Sequence, residues 1–123
     1  MDYTARVVII GLSFVIVFLS GLWVSRKGRP LNVGLSTIHK LVSLATGVFL
    51  LVTVYQQGQI APLNMAEWLA IVVTGVCFAA VVASGGILSS DKPRPIALLR
   101  VHQVMPVLTV VSTALMLYLV LSP

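Results

Sequence analysis

The chain has 123 residues, of which 59% are hydrophobic and only 9% are charged. Soluble domains carry about 25% charged residues, so this composition excludes an ordinary water-soluble core and indicates a membrane protein. The formal net charge is +5, but the basic residues are spread between apolar segments. That distribution argues against a nucleic-acid-binding surface and is typical of charge that flanks membrane spans.

Four apolar segments are long enough to cross a bilayer as helices. Each has roughly 20 residues, which at about 1.5 Å per residue matches a hydrocarbon thickness of roughly 30 Å. Strand-like alternation is absent, so the sequence predicts an all-α fold, a four-transmembrane-helix bundle in a single domain, 1–123. The segments are 4–24, 35–55, 66–88 and 98–121.

The ends of these segments carry recognisable signals. The first segment is too long for a signal peptide and is followed by basic residues instead of a cleavage site, so we expect a retained helix. Ser36 and Thr37 are predicted to mark the start of the second helix. Asn64 is predicted to cap the third helix.

Seven of the eight basic residues lie beside the first and third loops. By the positive-inside rule these loops should face the cytoplasm, which places both chain termini on the non-cytoplasmic side. No targeting presequence is evident, which favours a prokaryotic plasma (inner) membrane. The seven residues are Arg26, Lys27, Arg29, Lys40, Lys92, Arg94 and Arg100.

The two halves of the chain resemble each other. An offset of 64 residues pairs the Ser20-Gly21 step with Ser84-Gly85, and an offset of 63 pairs His39 with His102. This predicts two tandem helical-hairpin repeats, about 4–56 and about 66–121, related by a pseudo-two-fold axis along the membrane normal. The two histidines would then lie at equal depth on opposite sides of that axis.

His39 and His102 are the candidate metal ligands. Each lies about four residues, or roughly 6 Å, inside its predicted helix near the cytoplasmic face. Ionisable side chains within membrane helices usually face the protein interior. Two neutral imidazoles at matched depth suit the axial positions of a haem iron. Gly21 and Gly85 lie at a similar depth, where the lack of a side chain would let a flat ring approach the backbone.

Cations and hydroxyls complete the predicted site. Lys40, Arg100 and Arg26 lie at the same membrane edge, where they could pair with haem propionates. Thr46 and Thr109 follow the histidines by seven residues, and we expect them to line the cavity floor or to bond back to helix carbonyls. Two deeper glycines are expected to serve close helix packing instead. These are Gly11 and Gly75.

Two short segments carry a family resemblance, and each has a threonine seven residues after its histidine. They are Ile38-His39-Lys40-Leu41 and Val101-His102-Gln103-Val104. The chain resembles the four-helix membrane-embedded b-type cytochromes, which hold haem between histidines on paired helices. The resemblance implies haem b as cofactor and one-electron transfer, with a quinone or a redox protein as partner. It also implies an electron carrier or redox subunit more than a stand-alone enzyme.

Two other interpretations stay open from the sequence. The first is a cofactor-free accessory or assembly subunit of a larger membrane complex, favoured by the lack of a large soluble loop or an acidic substrate site. The second is a subunit that binds chlorophyll-type pigments, one on each histidine. The absorption spectrum of the purified protein would separate the three.

Overall fold

The computed structural model describes residues 2–28, 30–90 and 93–122, and these residues form helices, turns and short connections without any strand. The four helices have 24 to 28 residues each and are long and apolar enough to cross a membrane. The predicted all-α class with four transmembrane helices is confirmed. The helices are α1 (Tyr3–Lys27), α2 (Val33–Ile60), α3 (Met65–Leu88) and α4 (Ile96–Leu121).

Helix α2 is longer than predicted at both ends. The side chain of Asn32 accepts a hydrogen bond from the Leu35 amide at 3.0 Å, so the helix starts at Val33. The prediction that Ser36 and Thr37 mark its start is therefore wrong, since both lie inside the first turns. At the other end α2 continues beyond Tyr55 because glutamines are good helix formers although they are not apolar.

The start of α3 is capped as predicted. Asn64 Oδ1 accepts from the Glu67 amide at 2.9 Å, and Glu67 Oε2 accepts from the Asn64 amide at 2.8 Å. This reciprocal capping box satisfies two backbone donors that the helix leaves unpaired. The role predicted for Asn64 is confirmed.

The chain divides into two compact units, here called unit 1 (Met1–Gln56) and unit 2 (Gln57–Pro123). Unit 1 contains α1 and most of α2, whereas unit 2 contains α3 and α4. In unit 1 the Arg6 guanidinium near the start of α1 donates to Thr53 Oγ1 at 3.2 Å and also contacts Gln56, both late in α2. These contacts pair the start of α1 with the end of α2, as an antiparallel hairpin requires.

Buried positions in α2 and α4 recur every three or four residues, so each of these helices buries one face. Most large apolar side chains are exposed instead, as expected for helices surrounded by lipid. The hydroxyls of Thr74 and Thr113, both in unit 2, are buried and have no hydrogen-bond partner among the described residues.

Candidate functional site

His39 in α2 is held by one turn of α1. Its Nδ1 lies 3.0 Å from Ser20 Oγ and 3.1 Å from the Val17 carbonyl oxygen. Ser20 Oγ also donates to that carbonyl at 3.0 Å. Ser20 is 9% exposed, so this polar group is screened from the surroundings of the helix. The imidazole therefore has a defined position against α1.

His102 in α4 is held by α3 in the same way. Its Nδ1 lies 3.0 Å from Ser84 Oγ, and Ser84 Oγ donates to the Val81 carbonyl at 3.1 Å. The His102 ring also hydrogen-bonds the backbone of Val81. Ser84 is 3% exposed. Each unit therefore contains the same arrangement of valine carbonyl, serine hydroxyl and imidazole.

The contacts of His39 favour one tautomer. A carbonyl oxygen can only accept, so the contact with Val17 is a hydrogen bond when Nδ1 carries the proton, and Ser20 Oγ can then accept from the same N–H. In that tautomer of the neutral imidazole the lone pair is on Nε2. Metal-binding histidines commonly have this arrangement, in which a backbone carbonyl fixes the ring orientation and increases the basicity of the coordinating nitrogen.

Gly21 and Gly85 make room for the two imidazoles. A Cβ placed on Gly21 would lie 2.8 Å from His39 Cε1, and one on Gly85 would lie 2.8 Å from His102 Cε1. Carbon atoms in ordinary contact are about 3.5–4.0 Å apart, so any side chain here would displace the ring. In the structure these glycines thus face the histidines, and their proposed approach to a macrocycle stays a prediction.

The deeper glycines behave differently. A Cβ on Gly11 or Gly75 would meet no atom within 4 Å. The expectation that these two glycines serve close helix packing is therefore wrong for the described chain. The sequence does not distinguish a glycine that permits a close helix contact from a glycine that borders open space, and the prediction failed for this reason.

The two threonines bond back to their own helices, one of the two alternatives expected. Thr46 Oγ1 donates to the Val42 carbonyl and Thr109 Oγ1 donates to the Met105 carbonyl, each at 2.8 Å. Both side chains are buried. Their hydroxyls are satisfied locally, so they contribute apolar methyl groups and small volume to the interior of each unit.

The three predicted cations are exposed. Lys40 follows His39 directly and is exposed, and Arg100 precedes His102 by two residues and is also exposed. Arg26 lies roughly 120° to 140° around α1 from Ser20 and Gly21, at about 100° per residue. The structure therefore does not bring Arg26 to the face of α1 that holds His39.

Ser20 and Ser84 contact the two imidazoles, and the sequence interpretation did not assign them to the site. Both belonged to the Ser-Gly steps that revealed the duplication, but only the glycines were assigned to the site. The missed signal was the combination of a small polar residue, a neighbouring glycine and a histidine in both halves. A serine within an apolar span needs a partner, and a histidine at similar depth can supply one.

A bis-histidine haem would need fewer donors from the protein than a bare metal ion. Among the described residues no cluster of three or more His, Cys, Asp or Glu side chains could hold a metal ion. A bis-histidine haem requires only two axial nitrogens from the protein, because the macrocycle supplies the other four ligands. Each unit contains one imidazole whose Nδ1 lies 3.0 Å from a serine hydroxyl.

Comparison of the chain with protein-family models, curated protein sequences and solved structures finds no significant match.

Proposed function

We propose that this protein is a small membrane b-type cytochrome that binds one haem b through His39 and His102 and transfers single electrons. The observation that carries the proposal is the repeated set of contacts around each of the two histidines, here called the histidine seat. In each unit a serine hydroxyl contacts Nδ1, a valine backbone group hydrogen-bonds the ring, and a glycine accommodates it. The same contacts around both histidines support a matched pair of ligands.

Each residue of the seat has a separate task in this proposal. Val17 and Ser20 orient the His39 ring, and Ser84 orients the His102 ring. A proton donated from Nδ1 to an oxygen would make Nε2 more electron-donating, which would favour oxidised haem iron and lower its reduction potential. Lys40 and Arg100 are the exposed cations available to propionates. The haem supplies the one-electron redox chemistry.

The proposal places the histidines in the cytoplasmic half of a prokaryotic plasma membrane, with both termini on the other side. Basic residues beside the first and third loops support this orientation. A membrane-diffusing quinone or a redox protein is the proposed electron partner. Both can reach a site near one membrane face.

The visible absorption spectrum tests the proposal. Protein purified from a haem-replete host should show the sharp low-spin bands of a bis-histidine b-type cytochrome after reduction. His39→Ala or His102→Ala should each remove these bands or convert them to a high-spin spectrum. A protein that stays colourless after haem reconstitution would support the cofactor-free accessory subunit. A chlorophyll-type spectrum would support the pigment binder.

Sidedness supplies an independent test. Both histidines lie near one end of their helices, and on the order of 20 Å of hydrocarbon separates them from the other face. In sealed vesicles an impermeant reductant should therefore react quickly from the cytoplasmic face and slowly from the other. Equal rates from both faces without any quinone would contradict a site in the cytoplasmic half.

A further inference from the structure

The C-terminal end of α1 carries an open groove. Its lining combines apolar side chains with two adjacent cations. Leu19 and Trp23 are 61% and 56% exposed, so these large apolar groups are covered by something outside the described chain or by lipid. The lining residues are Leu19, Leu22, Trp23, Arg26 and Lys27.

The depth of these residues matches the layers of a phospholipid. The 20 residues from Tyr3 to Trp23 span roughly 30 Å, which places these two aromatic residues at opposite interfaces. Arg26 and Lys27 lie about 5–6 Å beyond Trp23, at the level of phosphate groups. Leu19 lies about 6 Å deeper, at the level of acyl chains.

The charge of the groove selects an anionic ligand. Arg26 and Lys27 are consecutive cations, and Asp2 is the one acidic residue in the sequence of unit 1. Asp2 caps the opposite end of α1, roughly 36 Å away along the helix. It cannot neutralise the pair across the bilayer, so within unit 1 an anion at the membrane surface would meet two cations and no carboxylate.

The sequence duplication shows that this groove is particular to the first hairpin. At the offset of 64 that aligns the Ser-Gly steps, unit 2 has Ile87 in place of Trp23 and Ser90 in place of Arg26. Lys27 aligns with Asp91, which lies outside the described residues. The histidine seat is thus common to both halves, whereas the basic aromatic groove occurs once.

We propose that this groove binds an anionic phospholipid. The lipid phosphate would lie between Arg26 and Lys27, the glycerol region beside the Trp23 indole N–H, and an acyl chain along Leu19 and Leu22. Arg26 and Trp23 together supply a forked donor and a rigid amphipathic ring at the depth where a headgroup begins. The proposal is independent of whether the histidines bind haem.

Fluorescence quenching of Trp23 tests this site directly. The Trp68→Phe protein retains Trp23 as its single tryptophan and is reconstituted with small fractions of brominated phosphatidylglycerol or brominated phosphatidylcholine. Brominated phosphatidylglycerol should quench Trp23 at about 25-fold lower membrane fractions, because each of the two cations should contribute about fivefold to this preference. Equal quenching by the two lipids would overturn the proposal.

Three variants provide the controls. Arg26→Gln/Lys27→Gln, in the same background, should abolish the preference. Lys40→Gln/Arg94→Gln removes the same charge from exposed positions that do not line the groove and should preserve it. Trp23→Phe leaves Trp68, beside Glu67, as the reporter and should show no preference for the anionic lipid. If both double variants lose the preference equally, general surface charge explains it and the groove is not a site.

Discussion

Replacing Gly85 by alanine should destabilise the protein, whereas the same change at Gly75 on the same helix should not. The added methyl carbon at position 85 would lie 2.8 Å from His102 Cε1. To restore an ordinary carbon contact of about 3.5 Å, the imidazole must move by roughly 0.7 Å. That displacement would strain the Nδ1 contact with Ser84, which is 3.0 Å long.

The magnitude follows from the difference between the two variants. Overpacking costs about 1–3 kcal/mol and a weakened hydrogen bond about 0.5–1.5 kcal/mol. Alanine also favours a helix over glycine by about 1 kcal/mol, but this gain applies to both positions and cancels in the comparison. We therefore expect Gly85→Ala to be about 2–4 kcal/mol less stable than Gly75→Ala.

Cys77 provides the assay. It is the single cysteine of the chain and lies half-buried in α3, so a thiol-reactive fluorophore reports the thermal unfolding of unit 2 in detergent. Gly85→Ala should unfold several degrees below the parent protein, and Gly75→Ala at or above it. Equal midpoints for the two variants would refute the close contact between Gly85 and His102, and with it the seat inferred for the histidine.

Three further predictions concern hydroxyl groups and topology. Ser20→Ala and Ser84→Ala should each cost about 0.5–1.5 kcal/mol in thermal unfolding, because each removes the Oγ contact with Nδ1; a loss at one site alone would contradict equivalent seats. Thr113→Val should raise the unfolding midpoint because its hydroxyl is buried without a partner, whereas Thr109→Val, which removes a bonded hydroxyl, should not; the opposite order would mean that Thr113 has a ligand. Gly58→Cys should react with an impermeant thiol reagent from the non-cytoplasmic side, and labelling only in inverted vesicles would reverse the orientation.

Hydropathy was sufficient to predict the four helices because a chain in lipid must satisfy its backbone groups within each span. Hydropathy placed the end of α2 too early, because Gln56 and Gln57 are polar but continue the helix. Apolarity defines the part of a helix inside the membrane, whereas hydrogen bonding and capping define the helix itself. The end of the apolar segment and the end of the helix therefore need not fall at the same residue.

The histidine seat was predictable in part. The duplication identified His39 and its counterpart as a pair, but a sequence does not show which turn of α1 faces the imidazole. The bond from Nδ1 to Ser20 and the Val17 carbonyl depends on the rotation of α1 against α2. The same rotation turns Arg26 away, although its depth alone had suggested a place beside the histidine.

Haem content measured per chain tests the central claim most directly. The wild-type protein, titrated with haem and quantified by the pyridine haemochrome method, should bind one haem per chain. His39→Ala and His102→Ala should each lose the low-spin site entirely, because one haem needs both ligands. Retention of half the wild-type low-spin signal in each variant would mean two independent haems. Specific haem binding that survives unchanged in either variant would contradict the cytochrome model.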